Sequence, residues 1–335
     1  RTGQDVAAKK FSNIADKVIY FPYDFVCCIN RAIKAINPAA VIIAETEIWP
    51  NLANELYKKQ IPLIIINGRI SPSSYKGYKK LSLFFKKVLS RYALILMQTP
   101  SDKDRIIDIG APEEITKTMG NLKFDIKNKL DENQINALSE ELKTSQYKVL
   151  IAGSTHAGED EIILEAYKRL KTEYSNLKLL LAPRHPERNQ NVIELIKKTT
   201  EKYGLRSKND NFDTSDIIML DRMGELGKLY SICYLTFIGG GFSNTGGHNP
   251  LEAAIYNKPS LSGPLVFNFK DIYKFLTQSK ASFIVENENE LYKKIKELLE
   301  NEEIYRQSSE ACKIVFEQNS GALESSIKEL KKLMS

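Results

Sequence analysis

The chain has 335 residues, 42% apolar and 27% charged, which suits a soluble globular protein of two domains of roughly 150 residues each. No apolar run approaches the roughly 20 residues that span a bilayer, residues 1–10 read as neither signal peptide nor tag, and Arg1 replaces an initiator Met, as in a fragment or processed form. The net charge of +6 comes largely from lysine-rich helices, and without an arginine-rich run interleaved with aromatics it argues against nucleic acid.

Val18 to Phe21 is an apolar run ended by Pro22 and predicts a strand. Asp24 to Ile36 has helical apolar spacing and stops before Pro38. Val41 to Ala44 predicts a buried strand, after which Glu45 to Leu52 opens a helix. Strands at Leu63 to Asn67, Ala93 to Gln98 and Ile115 to Met119 follow, alternating with helices as parallel βαβ units do. A lysine- and asparagine-rich segment from Asp125 to Asn136 interrupts the pattern. It restarts with strands at Tyr147 to Ala152, Leu177 to Ala182, Ile217 to Leu220, Ile232 to Ile238 and Pro259 to Leu261. Beyond Glu288 the chain is helical, with amphipathic segments at Leu291 to Leu299, Glu303 to Phe316 and Ala322 to Met334. The expected fold is α/β: two Rossmann-like doubly wound domains facing a cleft, the first incomplete, with ligands at the carboxyl ends of the strands. The predicted divisions are 1–130, 131–305 and a pair of terminal helices at 306–335, the last crossing back to the first domain.

The unusual residues lie in the turns after those strands. Phe237 to Glu252 reads Phe-Ile-Gly-Gly-Gly-Phe-Ser-Asn-Thr-Gly-Gly-His-Asn-Pro-Leu-Glu, either a tight strand-to-helix turn or a nucleotide-binding loop. Glycines admit close backbone approach, and Asn249 before Pro250 is a capping signal for a helix whose first turn carries Glu252. Ser154, Thr155 and His156 open another helix, as an anion-binding turn or an ordinary cap. Arg184 is held between Pro183 and the His185-Pro186 pair, where its planar donors suit a phosphate. Met223, Gly224 and Glu225 open a further helix, with backbone groups able to read a base edge. In the first half, Glu45 and Glu47 follow a buried strand, Asn67-Gly68-Arg69 ends the next, and Lys123 lies near the junction. Each of these is a site residue or an ordinary surface charge. The histidines at 156, 185 and 248 all sit in glycine- or proline-rich turns. Cys27, Cys28, Cys233 and Cys312 lack Cys-x-x-Cys spacing and read as structural thiols of a reducing compartment.

Two functions fit: a two-domain glycosyltransferase, or a nucleotide-sugar epimerase or other nucleotide-binding protein. No Gly-x-Gly-x-x-Gly after a strand supports a dinucleotide. The one Asp-x-Asp, Asp102-Lys103-Asp104, reads as the acidic first turn of a helix capped by Thr99, so glycosyl transfer is expected without a metal or other cofactor.

The blocks at Glu45 to Leu52, Gly120 to Asp125, Ser154 to His156, Pro183 to Arg188 and Gly246 to Ala253, with Gly263-Pro264 and Asn268-Phe269, resemble the 3-deoxy-D-manno-octulosonic acid (Kdo) transferases of lipopolysaccharide synthesis. The resemblance implies a glycosyltransferase B fold. It also implies metal-independent, inverting transfer of Kdo from CMP-Kdo to a lipid A precursor (lipid IVA) at the cytoplasmic face of the inner membrane. Its CMP-binding segments fall on Pro183 and Arg184, on Met223, Gly224 and Glu225, and on Asn249, Pro250, Leu251 and Glu252, with Ser154, Thr155, His185, Gly246, Gly247 and His248 as further candidates. The residues that stabilise its transition state fall on Glu45 and Lys123. The family's general-base glutamate, in a Ser-Val-Gly-Glu type loop, and its membrane anchor match positions before Arg1, so this chain is expected to bind CMP but turn over weakly. The implied partners are CMP-Kdo, the lipid acceptor and an anionic membrane surface, which the stripe at Lys79, Lys80, Lys86 and Lys87 and that at Lys328, Lys331 and Lys332 would suit.

Overall fold

The computed structural model describes residues 13–125 and 129–334, with 4, 7, 8 and 11. Arg1 to Gly3, where the resemblance begins, and residues 126–128 of the polar junction lie outside the described residues. The chain divides into two compact units, Arg1–Asp125 with Ser320–Ser335, and Ile126–Asn319.

In the first unit, β1 (Val41–Ala44), β2 (Leu63–Gly68), β3 (Leu94–Met97) and β4 (Thr116–Thr118) form a parallel sheet in that order. Strand alternation sends Leu63, Ile65, Ile95 and Met97 into one core and Ile64, Leu94 and Leu96 into another. The second core is covered in part by Leu330 of the terminal helix Ala322–Met334. That helix is fastened by Asp125, whose carboxylate accepts the Gly321 and Leu323 N–H groups at 2.6 Å each, and by a Lys117–Glu329 ion pair.

Two readings need correction here. Val18 to Phe21 forms no strand: Ile19, Tyr20 and Phe21 are exposed and unpaired with any strand, and Pro22 withholds an N–H. The helix expected from Glu45 begins at Pro50, because Glu45 adopts φ +62 and Trp49 is extended. Trp49 supplies no side-chain cap, and Asp24 substitutes by accepting the N–H groups of Asn51 (3.0 Å) and Leu52 (2.9 Å).

The second unit has seven parallel strands: β5 (Lys148–Thr155), β6 (Leu177–Pro183), β7 (Tyr203–Leu205), β8 (Ile217–Met219), β9 (Leu235–Ile238), β10 (Ser260–Ser262) and β11 (Ser282–Ile284). Their order is β11-β10-β9-β5-β6-β8-β7. Alternation along β5 and β6 again serves two faces. Leu150, Ala152, Leu179 and Leu181 pack against the helices Glu159–Glu173 and Glu288–Glu300, while Val149, Ile151, Leu180 and Ala182 meet Leu142, Tyr230 and Ala253. Strand β9 is shorter than the apolar run from Ile232, whose first residue closes a 3-10 turn.

Gly153 shows why β5 needs a residue without a side chain near its end. An added Cβ would stand 1.9 Å from the buried Tyr230 hydroxyl. Gly153→Ala should therefore lower stability by about 1–3 kcal/mol in urea unfolding followed by circular dichroism, and an unchanged midpoint would show that Tyr230 yields freely.

Candidate functional site

The chain runs outward from β5 through β6 to the edge strand β7, steps back to β8, then crosses to β9 on the other side of β5, so the strand order reverses between β5 and β9. Open α/β sheets bind ligands at such a point. Here the glycine run after β9 already holds an anion. Glu159, only 1% exposed, accepts N–H groups from Gly240 (2.7 Å), Phe242 (2.9 Å) and His156 (3.0 Å). The neighbouring glycines are demanded by packing of backbone on backbone: a Cβ on Gly239 would lie 2.3 Å from the Ser154 carbonyl, and one on Gly241 would lie 2.5 Å from the Gly263 nitrogen. Of the two readings of this run, Gly239 to Phe242 fit the tight turn, with the Gly240 and Phe242 N–H groups taken by Glu159. Gly246 and Gly247 do need their freedom, with φ +88 and +75, but they pack against Phe267, Asn268 and Val266.

The open pocket lies on the other side of β5. Ser154, itself at φ +56, lines it with Pro183, Arg184 and Asn189 after β6 and Asp221, Arg222, Met223 and Gly224 after β8. Arg184 is exposed and forms no hydrogen bond or ion pair among the described residues, although its N–H is fixed on the Thr155 carbonyl at 3.0 Å. Arg188, four residues on, is spent internally on Asp160 and on the Thr155 carbonyl. Burial pushes the Asp160 carboxyl up, opposed by its bonds to Thr155 and Arg188. Thr155 is fully buried with its hydroxyl on Asp160, so it faces inward and not into the pocket.

Glu252 is not among the lining residues but lies behind the helix that follows the 221–224 turn. Its carboxylate would sit 3.6 Å from a Cβ placed on Gly227, in the helix Leu226–Leu229 that follows Met223 and Gly224. It makes no hydrogen bond among the described residues, and burial raises its pKa while the nearby Arg184 charge lowers it. The helix expected from Asn249 is the short Leu251–Ala254, with Pro250 before it and the Asn249 side chain accepting the Leu251 N–H at 3.2 Å. Leu251 is fully buried, and the Glu225 carboxylate turns to Arg206 and Arg222, so both can offer a ligand only backbone.

The three histidines gather beside this pocket. The Nε2 atoms of His156 and His248 are 2.8 Å apart, and the His185 ring stands edge-on to His156 at 5.4 Å. One proton serves the Nε2 contact, so the pair resists a second. Burial, then the charges of His156 and Arg184, hold His248 down at about 4. Burial also lowers His156, partly offset by Glu159.

In the first unit, the Glu45 N–H donates to the Ile66 carbonyl at 2.9 Å, and the Asn67 side chain accepts the Leu122 N–H at 3.0 Å. The turns bearing Glu45 and Lys123 are therefore both tied to the end of β2, with both side chains exposed. Arg69 donates its N–H to the Thr46 hydroxyl at 2.6 Å, and Glu47 accepts from Trp49 at 3.1 Å. Thr99 caps the helix Pro100–Ile109 by accepting the Asp102 N–H at 3.1 Å, and the Asp102 carboxylate accepts from the Ile70 N–H (2.9 Å) and the Thr99 hydroxyl (2.5 Å). Among the described residues, no group of three His, Cys, Asp or Glu side chains could hold a metal.

Glu159, Asp160, Asp221 and Arg206 were not singled out in the sequence. The only available signal was their place in the same turns, since Glu159 to Glu161 reads like any acidic first turn.

A parallel doubly wound unit with an unpaired arginine and a carboxylate at its strand ends has the donor-site architecture of a glycosyltransferase B fold. The chain belongs to the 3-deoxy-D-manno-octulosonic acid (Kdo) transferase family. Residues 1–126 match the family model of 3-deoxy-D-manno-octulosonic-acid transferase (kdotransferase). The 3-deoxy-D-manno-octulosonic acid transferase of Haemophilus influenzae is 36% identical over 309 residues, covering 91% of this chain and 72% of that protein. A bifunctional glycosyltransferase/methyltransferase of Fusobacterium nucleatum is 41% identical over 95% of this chain, which spans about half (49%) of its length. The C-terminal CMP-Kdo binding domain of WaaA from Acinetobacter baumannii matches 55% of this chain and 96% of its own at 28% identity, with a TM-score of 0.52.

The histidine pair has a pH signature. Unfolded histidine titrates near 6.5, against about 4 for His248 in the folded chain. In that interval the unfolded chain binds the extra proton, so stability falls as pH drops from about 6.5 towards 4 and is unaffected above 7. Urea unfolding at pH 7 and pH 4.5 should show a loss on the order of 2 kcal/mol that shrinks in His248→Asn. Equal losses in both proteins would remove the pair as its source.

Proposed function

We propose that the protein containing this chain transfers Kdo from CMP-Kdo to a lipid A precursor (lipid IVA) in lipopolysaccharide core biosynthesis. Transfer inverts the anomeric carbon and uses no metal ion or cofactor. Family membership and the likeness to a CMP-Kdo binding domain support the donor. The observation that carries the reading is an unpaired Arg184 beside the half-buried Glu252 and the Met223–Gly224 turn. In this reading the Arg184 guanidinium takes the phosphate, Glu252 accepts from the ribose hydroxyls, and the backbone around Met223 and Gly224 reads the cytosine. Pro183, Glu225, Asn249, Pro250 and Leu251 shape those turns through their main chains, with Ser154 and His185 at the rim.

Lys123 meets negative charge developing on the leaving CMP or the sugar carboxylate, and Glu45 steadies positive charge at the anomeric carbon or positions the acceptor. Metal-free transfer is supported by Asp102, whose carboxylate is already committed to Ile70 and Thr99.

The acceptor is a lipid, and the first unit has a surface suited to an anionic bilayer on the cytoplasmic side of the inner membrane. Leu81, Leu83 and Phe84 are exposed (Leu83 by 88%) among the exposed Lys76, Lys80, Lys86 and Lys87. No helix among the described residues is long and apolar enough to cross a membrane.

Arg184→Ala should weaken CMP binding at least tenfold by titration calorimetry, because a charge-assisted contact contributes roughly 1.5–3 kcal/mol. An unchanged affinity would remove Arg184 from the phosphate site. The wild-type chain should also sediment with phosphatidylglycerol vesicles more than with phosphatidylcholine vesicles, and a Leu83→Ser, Phe84→Ser double variant should lose roughly two- to tenfold in that partition. Equal sedimentation of wild type and variant would argue against this patch.

A further inference from the structure

The turn that lines the pocket after β8 is pinned at both ends by a segment that never reaches the pocket. Arg206 follows the edge strand β7 and is only 5% exposed. Its Nε donates to Glu225 at 2.9 Å, and its Nη1 to Glu141 at 2.5 Å, in the last turn of the helix Glu132–Leu142. The next residue, Ser207, donates its N–H to the Asp221 carboxylate at 2.7 Å, while Arg222 returns a bond to the Ser207 carbonyl at 2.9 Å. Asp221 and Glu225 are thus anchored, and between them Met223 stays 68% exposed and Gly224, at φ +85, meets nothing within 4 Å of where a Cβ would stand.

We infer that Arg206, braced by Glu141, is a positioning residue that sets the base selectivity of the pocket by holding the 221–225 turn in one conformation. This rests on the proposal that the turn reads the base of a cytidine nucleotide. Cytosine and uracil differ in donor and acceptor pattern at two ring positions, and backbone groups distinguish them only when their directions are held. A guanidinium suits the task because it bonds two carboxylates at once in fixed geometry, which an ammonium cannot reproduce. With Arg206 lost, Glu225 and Glu141 would leave their places and the turn would sample other conformations.

The experiment is titration of the full chain with CMP and with UMP, in wild type, Arg206→Met, Arg206→Lys and Glu141→Gln. The expected result is a CMP preference in wild type that drops about tenfold in Arg206→Met and partly in Arg206→Lys, mainly through weaker CMP binding. Glu141→Gln guards against a misfolded Arg206→Met, because it keeps the Arg206–Glu225 contact and should lower the preference by a smaller factor. A preserved CMP:UMP ratio in a folded Arg206 variant, or equal losses for both nucleotides, would overturn the inference and leave the nucleotide site standing. Wild type that binds neither nucleotide, or both equally, would overturn the cytidine reading, and this inference with it.

Discussion

The second unit is organised by one buried carboxylate. Glu159 stands at the start of a helix, where the dipole favours a negative charge, and collects N–H groups from two different turns. A carboxylate withdrawn from water costs several kcal/mol unless its lone pairs are filled, and three charge-assisted hydrogen bonds supply that compensation. The bond to His156 is local, while those to Gly240 and Phe242 close over about eighty residues of sequence. The turns after β5 and β9 are thereby locked together at the point where the sheet reverses direction. The glycines around them follow as a consequence, because turns held this closely leave no room for a Cβ at Gly239 or Gly241.

That internal anion divides the charged groups into two populations. Arg188 and Asp160 neutralise each other beneath the turn, and Arg206 lies between Glu141 and Glu225. Arg184 and Glu252 have no such partners, although both belong to turns whose main chains are fixed by hydrogen bonds. A side chain carried on a fixed main chain has less left to order when a ligand binds, and without an internal counter-ion its polar head remains available to that ligand. The histidine pair sits within the field of Arg184 and is kept neutral by burial, adding polar contacts without a competing cation.

The sequence displayed the architecture wherever strands are rich in apolar residues. Leu177–Pro183 and Leu235–Ile238 stand out because both faces are covered, whereas Val41–Ala44, expected to be buried, is an edge strand with Ile42 46% exposed. Strands β7 and β11 escaped notice: each has three residues and lies at a sheet edge, and Gly204 and Ser282 interrupt any pattern. Val18 to Phe21 has the composition of a strand without a neighbour to pair with, and composition alone cannot report a missing neighbour. At the site, the convergence of the turns at Ser154, Arg184 and Met223 was legible because strand ends in a parallel sheet share one edge. Glu159 and Arg206 were not, since what distinguishes each is a partner remote in sequence.

The same limit explains why the glycine-rich stretch leaves two readings open, a tight turn or a nucleotide-binding loop. Glycine at a turn signals close approach of something to the backbone, and sequence does not say whether the visitor is ligand, carboxylate or another strand. Here the visitors are Glu159, the Ser154 carbonyl and the Gly263 nitrogen. The first unit shows a milder version: Asn67 and Asp125 use side-chain oxygens to hold backbone N–H groups of remote turns, so that the segments around Lys123 and the terminal helix are fixed through polar bonds. In both units, buried or half-buried side-chain oxygens take the backbone donors that a glycine-rich or polar turn would otherwise leave open. The Arg184 and Glu252 side chains, by contrast, make no hydrogen bond among the described residues, which is why the proposed reading gives ligand recognition to them.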